Sequence, residues 1–443
     1  MAAAAQLHLS QELERRLGRG TLEGSENMSN GVLPHEVDAV VIGSGALGAS
    51  TAFHLAKAGL KIALVDKAAL ASQTSPRAAG LSGQLRSDDR MTMIAARAVK
   101  KIETFSEDTG EPLLFYQPGS LKVARRLEHA AQIHEEVARG QALGLPVNLL
   151  TPEQARGLMP FLHVEGVKAV MHMRSDVYLE PEQIPLAYAA AAGKLSAALL
   201  PNTEVQEIQT TGGRVFGVRT NRGEIRAPVV VDAAGAWLRA VAALGGSTVK
   251  LVPTRHQLMI TVPLPEVRPE QPITRIIDAN VYVRPCKGGL MLGGYEADPV
   301  QYDMGTMPED FSIDQLALDL GVLRRLAESV AVQLPVFKDV ALQEYRGGLP
   351  TMTADGEHVI GAAPGVSGLF VIGGCCVGGL STAPALGELL SELIVAGKPS
   401  MDISMMDPAR AAISLPEEAL KQLSRLQYAH HYWAPETMPA TVN

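Results

Sequence analysis

Hydrophobic and polar positions near the start of the chain form segments of two kinds. An unbroken, β-branched apolar run at 37–42 predicts a strand that is buried on both faces. Small and apolar side chains at helical spacing over 49–57 predict a helix, and Gly59 fits its end. A second apolar run at 60–65 predicts another buried strand, which ends at Asp66. The pattern therefore predicts a strand–helix–strand unit with parallel strands.

The same two periodicities continue through the rest of the chain. Buried apolar strands at 229–231 and 369–372 predict that distant segments complete the first sheet. Alternation in HQLMITV, NVYVRPC and GLMLGGY predicts a mostly antiparallel sheet within 249–341, and a strand pair is expected at 113–123. Helices are predicted at 88–109, 128–143, 180–199, 312–332, 380–396 and 416–426, with a short one at 11–17.

The turn between the first strand and its helix carries G-x-G-x-x-G at Gly43, Gly45 and Gly48. Such a turn brings backbone N–H groups and the positive end of the helix close to a pyrophosphate. Asp66 follows Gly48 by 18 residues, and its carboxylate can accept both hydroxyls of an adenosine ribose. This order of elements indicates a dinucleotide site. The alternative interpretation is a tight turn that binds no ligand.

A second strand, glycine-rich turn and helix follow near the other end of the chain. The turn contains Gly373, Gly374, Gly378 and Gly379 and comes directly after the strand at 369–372. It predicts a second helix amino terminus near the cofactor. The dipole of that helix favours a negatively charged part of the ligand.

Composition and charge narrow the class of protein. The chain has 443 residues, of which 47% are hydrophobic and 19% charged, which is enough for two domains with apolar cores. Its net charge of −8 argues against a nucleic-acid partner and against an anionic membrane surface. No apolar run reaches the ~20 residues that span a bilayer, and the first residues do not resemble a signal or transit peptide. We therefore expect a cytoplasmic protein.

Cysteine and histidine spacings predict neither a disulfide framework nor a metal site. The chain has three cysteines, Cys286, Cys375 and Cys376, of which two are adjacent, and this usage indicates a reducing compartment. The adjacent pair needs no redox role, because C-x-x-C is absent. His430 and His431 lie among aromatic residues in YAHHYWAP, which we interpret as a docking patch.

Several motifs together resemble a known family. VIGSGALGASTA…VD, SPRAAGL, DAAGAW and TADG…IG…GLFVIGG occur in the same order as in the D-amino-acid-oxidase-like FAD oxidoreductases. This family includes glycine and sarcosine oxidases and the dimethylglycine and sarcosine dehydrogenases. The resemblance covers residues 36–398 and leaves both ends of the chain outside it.

The resemblance implies an α/β fold with two parts. We expect a discontinuous Rossmann-like FAD-binding domain plus a mostly antiparallel-sheet (α+β) substrate domain. The predicted boundaries are 1–35 for an amino-terminal arm, 36–112, 181–248 and 346–398 for the FAD-binding domain, 113–180 for a substrate or cap region, 249–345 for the substrate domain and 399–443 for a carboxyl-terminal tail. The arm and the tail are candidate contacts in a homo- or hetero-oligomer.

The resemblance also implies that FAD is the cofactor. Some relatives attach FAD covalently, through a histidine of the first loop or through a later cysteine. Arg77 and Gly348 occupy those positions here, so we expect non-covalent FAD. The residues implied to hold it lie in the two glycine turns, the loop after Asp66 and the region around the strand at 229–231: Gly43, Gly45, Ala46, Leu47, Gly48, Asp66, Lys67, Ser75, Arg77, Ala78, Ala79, Gly80, Val205, Ala234, Gly235, Trp237, Gly373, Gly374, Gly378, Gly379, Leu380 and Ser381.

The chemistry implied by the resemblance is oxidation of a C–H bond beside an amine nitrogen, with hydride passing to flavin N5 and the imine hydrolysing. His256 in PTRHQ and Tyr282 in NVYVRP match active-site positions of the dimethylglycine-oxidising branch. Arg346 in YRGGLP lies near the carboxylate-binding arginine of amino-acid oxidases. The alternatives are a core histidine, a cross-strand tyrosine and a surface arginine. Arg77 and Arg86 are further candidates to face a ring or a substrate carboxylate.

The leading hypothesis is an FAD-dependent oxidase or dehydrogenase that acts on a secondary or N-methylated amino acid, with oxygen or an electron carrier as acceptor. A phosphorylated polyol such as glycerol 3-phosphate is an alternative substrate, for which Arg255, Arg284 and Arg346 are the candidate phosphate ligands. A different class is a flavin-carrying subunit of a heteromeric dehydrogenase complex. An NAD-dependent dehydrogenase is a weaker rival.

Overall fold

The computed structural model describes residues 31–433 of the chain, so the helix predicted at 11–17 lies outside the described residues. The strands are β1 (Ala39–Ile42), β2 (Ile62–Val65), β3 (Leu81–Ser82), β4 (Phe115–Tyr116), β5 (Ser120–Ala124), β6 (Val147–Leu150), β7 (Ala169–Met173), β8 (Val177–Leu179), β9 (Ala198–Leu200), β10 (Val205–Thr211), β11 (Arg214–Thr220), β12 (Gly223–Arg226), β13 (Val229–Asp232), β14 (Val252–Pro253), β15 (His256–Thr261), β16 (Ile273–Ile276), β17 (Val281–Cys286), β18 (Gly289–Gly294), β19 (Leu342–Gly348), β20 (Thr351–Met352), β21 (Val359–Ala362) and β22 (Leu369–Gly373). The helices are α1 (Ala46–Lys57), α2 (Asp89–Glu103), α3 (Phe105–Thr109), α4 (Leu127–Ala142), α5 (Pro152–Leu158), α6 (Gln183–Lys194), α7 (Leu238–Leu244), α8 (Leu320–Ser329), α9 (Gly379–Ala396) and α10 (Glu417–Ala429).

One sheet has six strands in the order β21-β22-β13-β1-β2-β9. Its neighbours are parallel except for β21, which runs antiparallel to β22. Strand β1 lies between β13 and β2, so that Ala39 is paired with both Val229 and Ile62. The apolar runs at 229–231 and 369–372 therefore join the first sheet as the sequence predicts.

Helices α1, α6 and α9 pack together on one face of this sheet. Small side chains allow the close approach, because Ala49 and Ala52 of α1 are fully buried. A Cβ on Gly387 of α9 would lie only 2.4 Å from the Ser50 hydroxyl. Since α1 follows β1 and α9 follows β22, the amino termini of both helices lie at the carboxyl edge of the parallel strands, where ligands bind in open α/β sheets.

A second sheet has eight strands in the order β19-β15-β18-β17-β16-β5-β7-β6. Its neighbours are antiparallel except for β16 and β5, which run parallel. Strands β5 to β7 and strands β15 to β19 leave the first sheet in two separate excursions and combine into one layer. The mixed α/β fold class is confirmed, whereas the exact domain boundaries stay a prediction.

The strand pair predicted at 113–123 is wrong in its pairing. Strands β4 and β5 both form, but β4 pairs with β8, and β5 pairs with β7 and β16. Gly119, with φ of +78°, lies between them and turns the chain from one sheet into the other. Local sequence shows the turn but not the strand that lies beside each segment.

Three predicted helices differ in extent. The alanine-rich helix expected at 180–199 ends at Lys194, because Ser196 has φ of +69°, and β9 follows as an edge strand beside β2. The helix expected at 312–332 begins only at Leu320, where the Asp319 carboxylate caps its first turn. The helix expected at 88–109 is divided at Thr104 into α2 and α3. Within residues 31–433, no helix has the length and apolar character needed to cross a membrane.

His54 in α1 generates a prediction about stability in acid. Its side chain is 6% exposed, Nδ1 lies 2.7 Å from the Ser50 carbonyl oxygen, and burial lowers its pKa to about 4. The unfolded residue takes up a proton below about pH 6.5, whereas the folded ring stays neutral until about pH 4. The free energy of unfolding therefore falls as the pH drops through this window.

We expect the free energy of unfolding of His54→Gln to fall less steeply with decreasing pH than that of the parent. The difference in slope should reach up to about 1.4 kcal/mol per pH unit between pH 6.5 and 5. Urea unfolding followed by circular dichroism at each pH measures the slope. The matched control is His134→Gln, at an exposed position of α4. Equal slopes for His54→Gln and the parent would contradict the prediction.

Candidate active site

The turn from β1 into α1 is built around close backbone contacts. Gly43 has φ of +99°, and a Cβ there would lie 2.5 Å from the carbonyl oxygen of Ala233. A Cβ on Gly48 would lie 1.9 Å from the carbonyl oxygen of Gly43. At Gly45 a Cβ would meet the Ser75 hydroxyl at 3.2 Å. Gly43 and Gly48 thus fix the backbone, while Gly45 leaves the first turn of α1 open on one side.

Asp66 connects the end of β2 to the glycine turn. Its Oδ2 accepts hydrogen bonds from the Ser44 backbone N–H at 2.9 Å and the Ser44 hydroxyl at 2.6 Å, and Oδ1 accepts from the Ala68 N–H at 3.0 Å. Burial raises the pKa of Asp66, and these hydrogen bonds oppose the rise. The ammonium of the next residue, Lys67, lies 3.9 Å from the centre of the Trp237 ring. The ribose contact expected of Asp66 stays a prediction.

A cavity of about 1080 Å³ lies at the amino termini of α1 and α9. Pockets for single small ligands are typically about 300–1,000 Å³, so this one has room for a dinucleotide together with a small substrate. Its lining includes many of the predicted cofactor residues: Gly45, Ala46, Leu47, Ser75, Arg77, Ala78, Ala79, Gly80, Gly235, Gly373, Gly378, Gly379, Leu380 and Ser381.

The remaining predicted cofactor residues lie outside the lining of this cavity: Gly43, Gly48, Asp66, Lys67, Val205, Ala234, Trp237 and Gly374. Gly43 and Gly48 shape the turn that borders it. Val205 is 8% exposed and packs in the apolar core beside β13. The neighbouring Thr203 donates its N–H to the carbonyl oxygen of Asp66 at 2.7 Å. The cofactor contact expected of Val205 stays a prediction.

The loop after β2 closes over the first turn of α1. The Ser75 hydroxyl accepts a hydrogen bond from the Ala46 N–H at 3.0 Å. The Arg77 guanidinium turns back and donates to the carbonyl oxygens of Ser72 and Gln73. Arg77 therefore stabilises its own loop. It also lines the large cavity, so a position facing a flavin ring or a substrate stays a prediction.

His256 and Tyr282, the two residues that match active-site positions of relatives, lie in contact, and their catalytic roles stay predictions. Nε2 of His256 lies 2.8 Å from the Tyr282 hydroxyl, and Nδ1 lies 2.8 Å from the hydroxyl of Tyr428. Burial lowers the pKa of His256 to about 4 and raises the pKa of Tyr282 well above its usual range. Both groups are therefore uncharged at neutral pH. Gly293 lies opposite Tyr282 on β18, and a Cβ there would be 2.2 Å from the Tyr282 hydroxyl.

Two basic residues share a row of the second sheet with Tyr282. Arg275 is paired with Tyr282 across β16 and β17, and with Lys122 across β16 and β5. Each cation already has a carboxylate partner. Lys122 Nζ lies 2.6 Å from Glu136, and Arg275 lies 3.7 Å from Asp176.

Arg86 also lines the large cavity, but no carboxylate in the described part of the chain balances its charge. Within residues 31–433, no carboxylate oxygen lies within 4.0 Å of its guanidinium nitrogens. Nη2 donates to the Ser381 hydroxyl at 2.9 Å, and Nε is buried without a hydrogen-bond partner. Burial lowers the pKa of Arg86. A buried cation of this kind favours an anionic ligand, because transfer of an unpaired charge out of water is costly.

The geometry does not favour the expectation that Arg346 anchors a substrate carboxylate, which stays a prediction. Its guanidinium is already neutralised, by Glu344 at 2.5 Å and by Glu180 at 3.4 Å. It lines a separate cavity of about 430 Å³ that contains neither His256 nor Tyr282. Glu344 is close to Arg346 in the sequence, but Glu180 belongs to a distant segment, so no local pattern shows the complete ion-pair network.

Sequence patterns do not identify two residues of the site, Arg275 and Tyr428. Arg275 lies in TRIID, which carries no motif, and only the pairing of β16 with β17 places it beside Tyr282. Tyr428 comes from α10, outside the region of family resemblance. The aromatic and histidine residues of YAHHYW are the only local signal for Tyr428, and that signal also fits a docking patch.

The model of the family described as FAD dependent oxidoreductase matches residues 38–393. The chain belongs to this family. FAD is therefore its cofactor, and the resemblance expected from the motifs is confirmed.

Curated relatives include mitochondrial dimethylglycine dehydrogenase of Mus musculus, 29% identical over 88% of this chain and 46% of its own length. Mitochondrial sarcosine dehydrogenase of Homo sapiens is 29% identical over 94% of this chain and 46% of its own length. The chain thus spans under half the length of these relatives. Among solved structures, L-proline dehydrogenase from P. horikoshii has a TM-score of 0.78 and 26% identity, covering 85% of this chain and 98% of that one.

The residues present fit FAD. The glycine turn excludes side chains where a backbone must approach closely, two helix amino termini border one cavity, and the cavity exceeds the size for a small ligand alone. Position 348 has no space for a covalent link, because even a Cβ there would lie 2.9 Å from the Thr74 methyl group.

We predict that acid precipitation of the holoprotein releases its yellow colour into the supernatant. Absorbance of the supernatant at flavin wavelengths measures the released fraction. A yellow pellet would contradict the prediction and would direct attention to Cys375 and Cys376, which both line the cavity. Cys375→Ser and Cys376→Ser variants would then identify the attached residue.

Proposed function

We propose that the chain catalyses FAD-dependent oxidation of the C–N bond of a secondary or N-methylated amino acid. The observation that carries the proposal is the unbalanced Arg86 guanidinium, which lines the same cavity as the uncharged His256–Tyr282 pair. An amino acid offers the two groups that such a site would bind. Its carboxylate complements Arg86, and its amine nitrogen meets neutral hydrogen-bonding groups.

Burial around His256 and Tyr282 supports oxidation of an amine. A low-polarity site disfavours the charged form of a buried amine, and only the neutral amine has the lone pair that drives hydride loss. The Tyr282 hydroxyl can form a hydrogen bond with that nitrogen, while His256 holds the hydroxyl in place from the other side. FAD, when bound, accepts the hydride, and the imine product then hydrolyses.

The alternative phosphorylated substrate receives less support from the charges. A phosphate group calls for several free cations, but Arg255, Arg284 and Arg346 are all paired with carboxylates, and none of them lines the large cavity. Oxygen or an electron carrier remains the proposed acceptor. Membership of a heteromeric dehydrogenase complex remains the second hypothesis, because the relatives extend well beyond the length of this chain.

The decisive test is anaerobic mixing of the holoprotein with N-methyl amino acids, imino acids and glycerol 3-phosphate while flavin absorbance is recorded. We expect bleaching by at least one secondary amino acid and none by glycerol 3-phosphate. Bleaching by glycerol 3-phosphate alone would contradict the proposal. Absence of bleaching by the whole panel would favour the flavin-carrying subunit.

A matched pair of variants tests the carboxylate anchor. Charge-assisted hydrogen bonds contribute about 1.5–3 kcal/mol, so Arg86→Gln is expected to raise the substrate concentration for half-maximal flavin reduction by about 10- to 100-fold. Arg346→Gln is expected to lower the melting temperature and to leave that concentration within about twofold. The reverse result, with Arg346→Gln impairing substrate binding, would support Arg346 as the carboxylate anchor.

A further inference from the structure

We infer that residues 428–433, which we call the tail segment, form one wall of the substrate cavity and position His256, so that they help to select the substrate. This inference deepens the proposed function and rests on it for the kinetic part of the test. It replaces the interpretation of YAHHYW as a docking patch for another subunit.

Tyr428 provides the first contact between the tail segment and the catalytic pair. Its hydroxyl lies 2.8 Å from Nδ1 of His256, and its side chain is 1% exposed. A neutral imidazole has one N–H donor and one acceptor nitrogen, so one of the two flanking tyrosines donates and the other accepts. Tyr428 therefore fixes the orientation of the His256 ring. It also fixes which ring nitrogen carries the proton, and hence the direction of the hydrogen bond between His256 and Tyr282. It is a positioning residue that acts through His256.

Aromatic contacts complete the wall. The ring of His431 stacks on Tyr295 with centroids 4.2 Å apart and planes 30° apart. Tyr432 meets the same ring edge to face at 5.3 Å. Tyr295 in turn lies 5.1 Å from the ring of His256. Tyr295, His431 and Tyr432 line the cavity, so a substrate next to His256 would face this aromatic surface.

Polar contacts hold the tail segment on both sides of the cavity. On the side of the second sheet, Asn280 donates its side-chain N–H to the Ala429 carbonyl oxygen at 2.8 Å. On the side of α4, Gln132 donates its side-chain N–H to the Tyr432 carbonyl oxygen at 3.2 Å. The ring centroids of His129 and Trp433 lie 5.0 Å apart. Anchors at both ends indicate a fixed wall. Its rings and uncharged groups suit a small apolar substituent on the substrate nitrogen or α-carbon.

Removal of one ring tests the wall without any need for turnover. We expect His431→Ala to increase iodide quenching of flavin fluorescence in the substrate-free holoprotein by about twofold or more, because an exposed cavity admits the quencher. The matched control, His134→Ala on the exposed face of α4, is expected to match the parent. Equal quenching in all three proteins, at equal FAD content, would overturn the inference.

Tyr428→Phe tests the positioning role, with Tyr345→Phe at an exposed position of β19 as its control. We expect the limiting rate of flavin reduction to fall about tenfold, since small misplacements of catalytic groups are costly. The dissociation constant for acetate, a probe of the carboxylate site, should stay within twofold. An unchanged rate would overturn the role of Tyr428.

The quenching test is independent of the proposed function, whereas the rate measurement on Tyr428→Phe requires a substrate that reduces the flavin. If no amino acid bleaches the parent flavin, the proposed reaction is wrong, while the quenching measurement still decides whether the tail segment encloses the cavity. If either substitution prevents folding or FAD binding, the other variant decides the inference. Relaxed selectivity of His431→Ala toward bulkier N-substituents would support it, and unaltered selectivity together with unaltered quenching would overturn it.

Discussion

The close contact between the β1–α1 turn and the end of β13 is the constraint on which the site depends. Gly48, Gly43 and Ala233 approach so closely that any side chain at the two glycines would separate helix from strand. The same contact sets the direction of α1, and therefore the place where its positive end acts. Strand β22 pairs with β13 in the same sheet. The position of the amino terminus of α9 therefore depends on that of α1.

Pairing with a carboxylate distinguishes the cations that have a structural role from the cation that is available to a ligand. Buried cations in this chain are mostly paired, as Arg284 is with Glu180 and Lys122 is with Glu136. These pairs join β5 to α4 and β17 to the segment after β8, and they leave little attraction for a ligand. Arg86 differs because the described residues give it a hydroxyl partner and no carboxylate. In the proposed reaction, the uncharged histidine–tyrosine pair and the Arg86 cation would together favour an amino acid over a polyanion.

Much of the fold follows from local patterns, because buried parallel strands are continuous apolar runs and helix starts carry glycine or capping residues. The strand–glycine–helix units and the His256–Tyr282 pair were predictable on this basis or by resemblance. Strand pairing was not, since it depends on contacts between distant segments, and Arg275 joins the site only through it. The ion pair of Arg346 with Glu180 was likewise not predictable, because it joins segments that are distant in the sequence.

The interrupted sheet has a consequence for synthesis of the protein. The glycine turn that receives FAD is synthesised well before β22 and α9, which border the other side of the cavity and begin only at Leu369. Tyr428 emerges later still. Native pairings of this sequence separation form slowly, so the nascent chain cannot complete its cofactor pocket before α9 has been synthesised. A complete pocket for FAD therefore forms only after both excursions into the second sheet have been made.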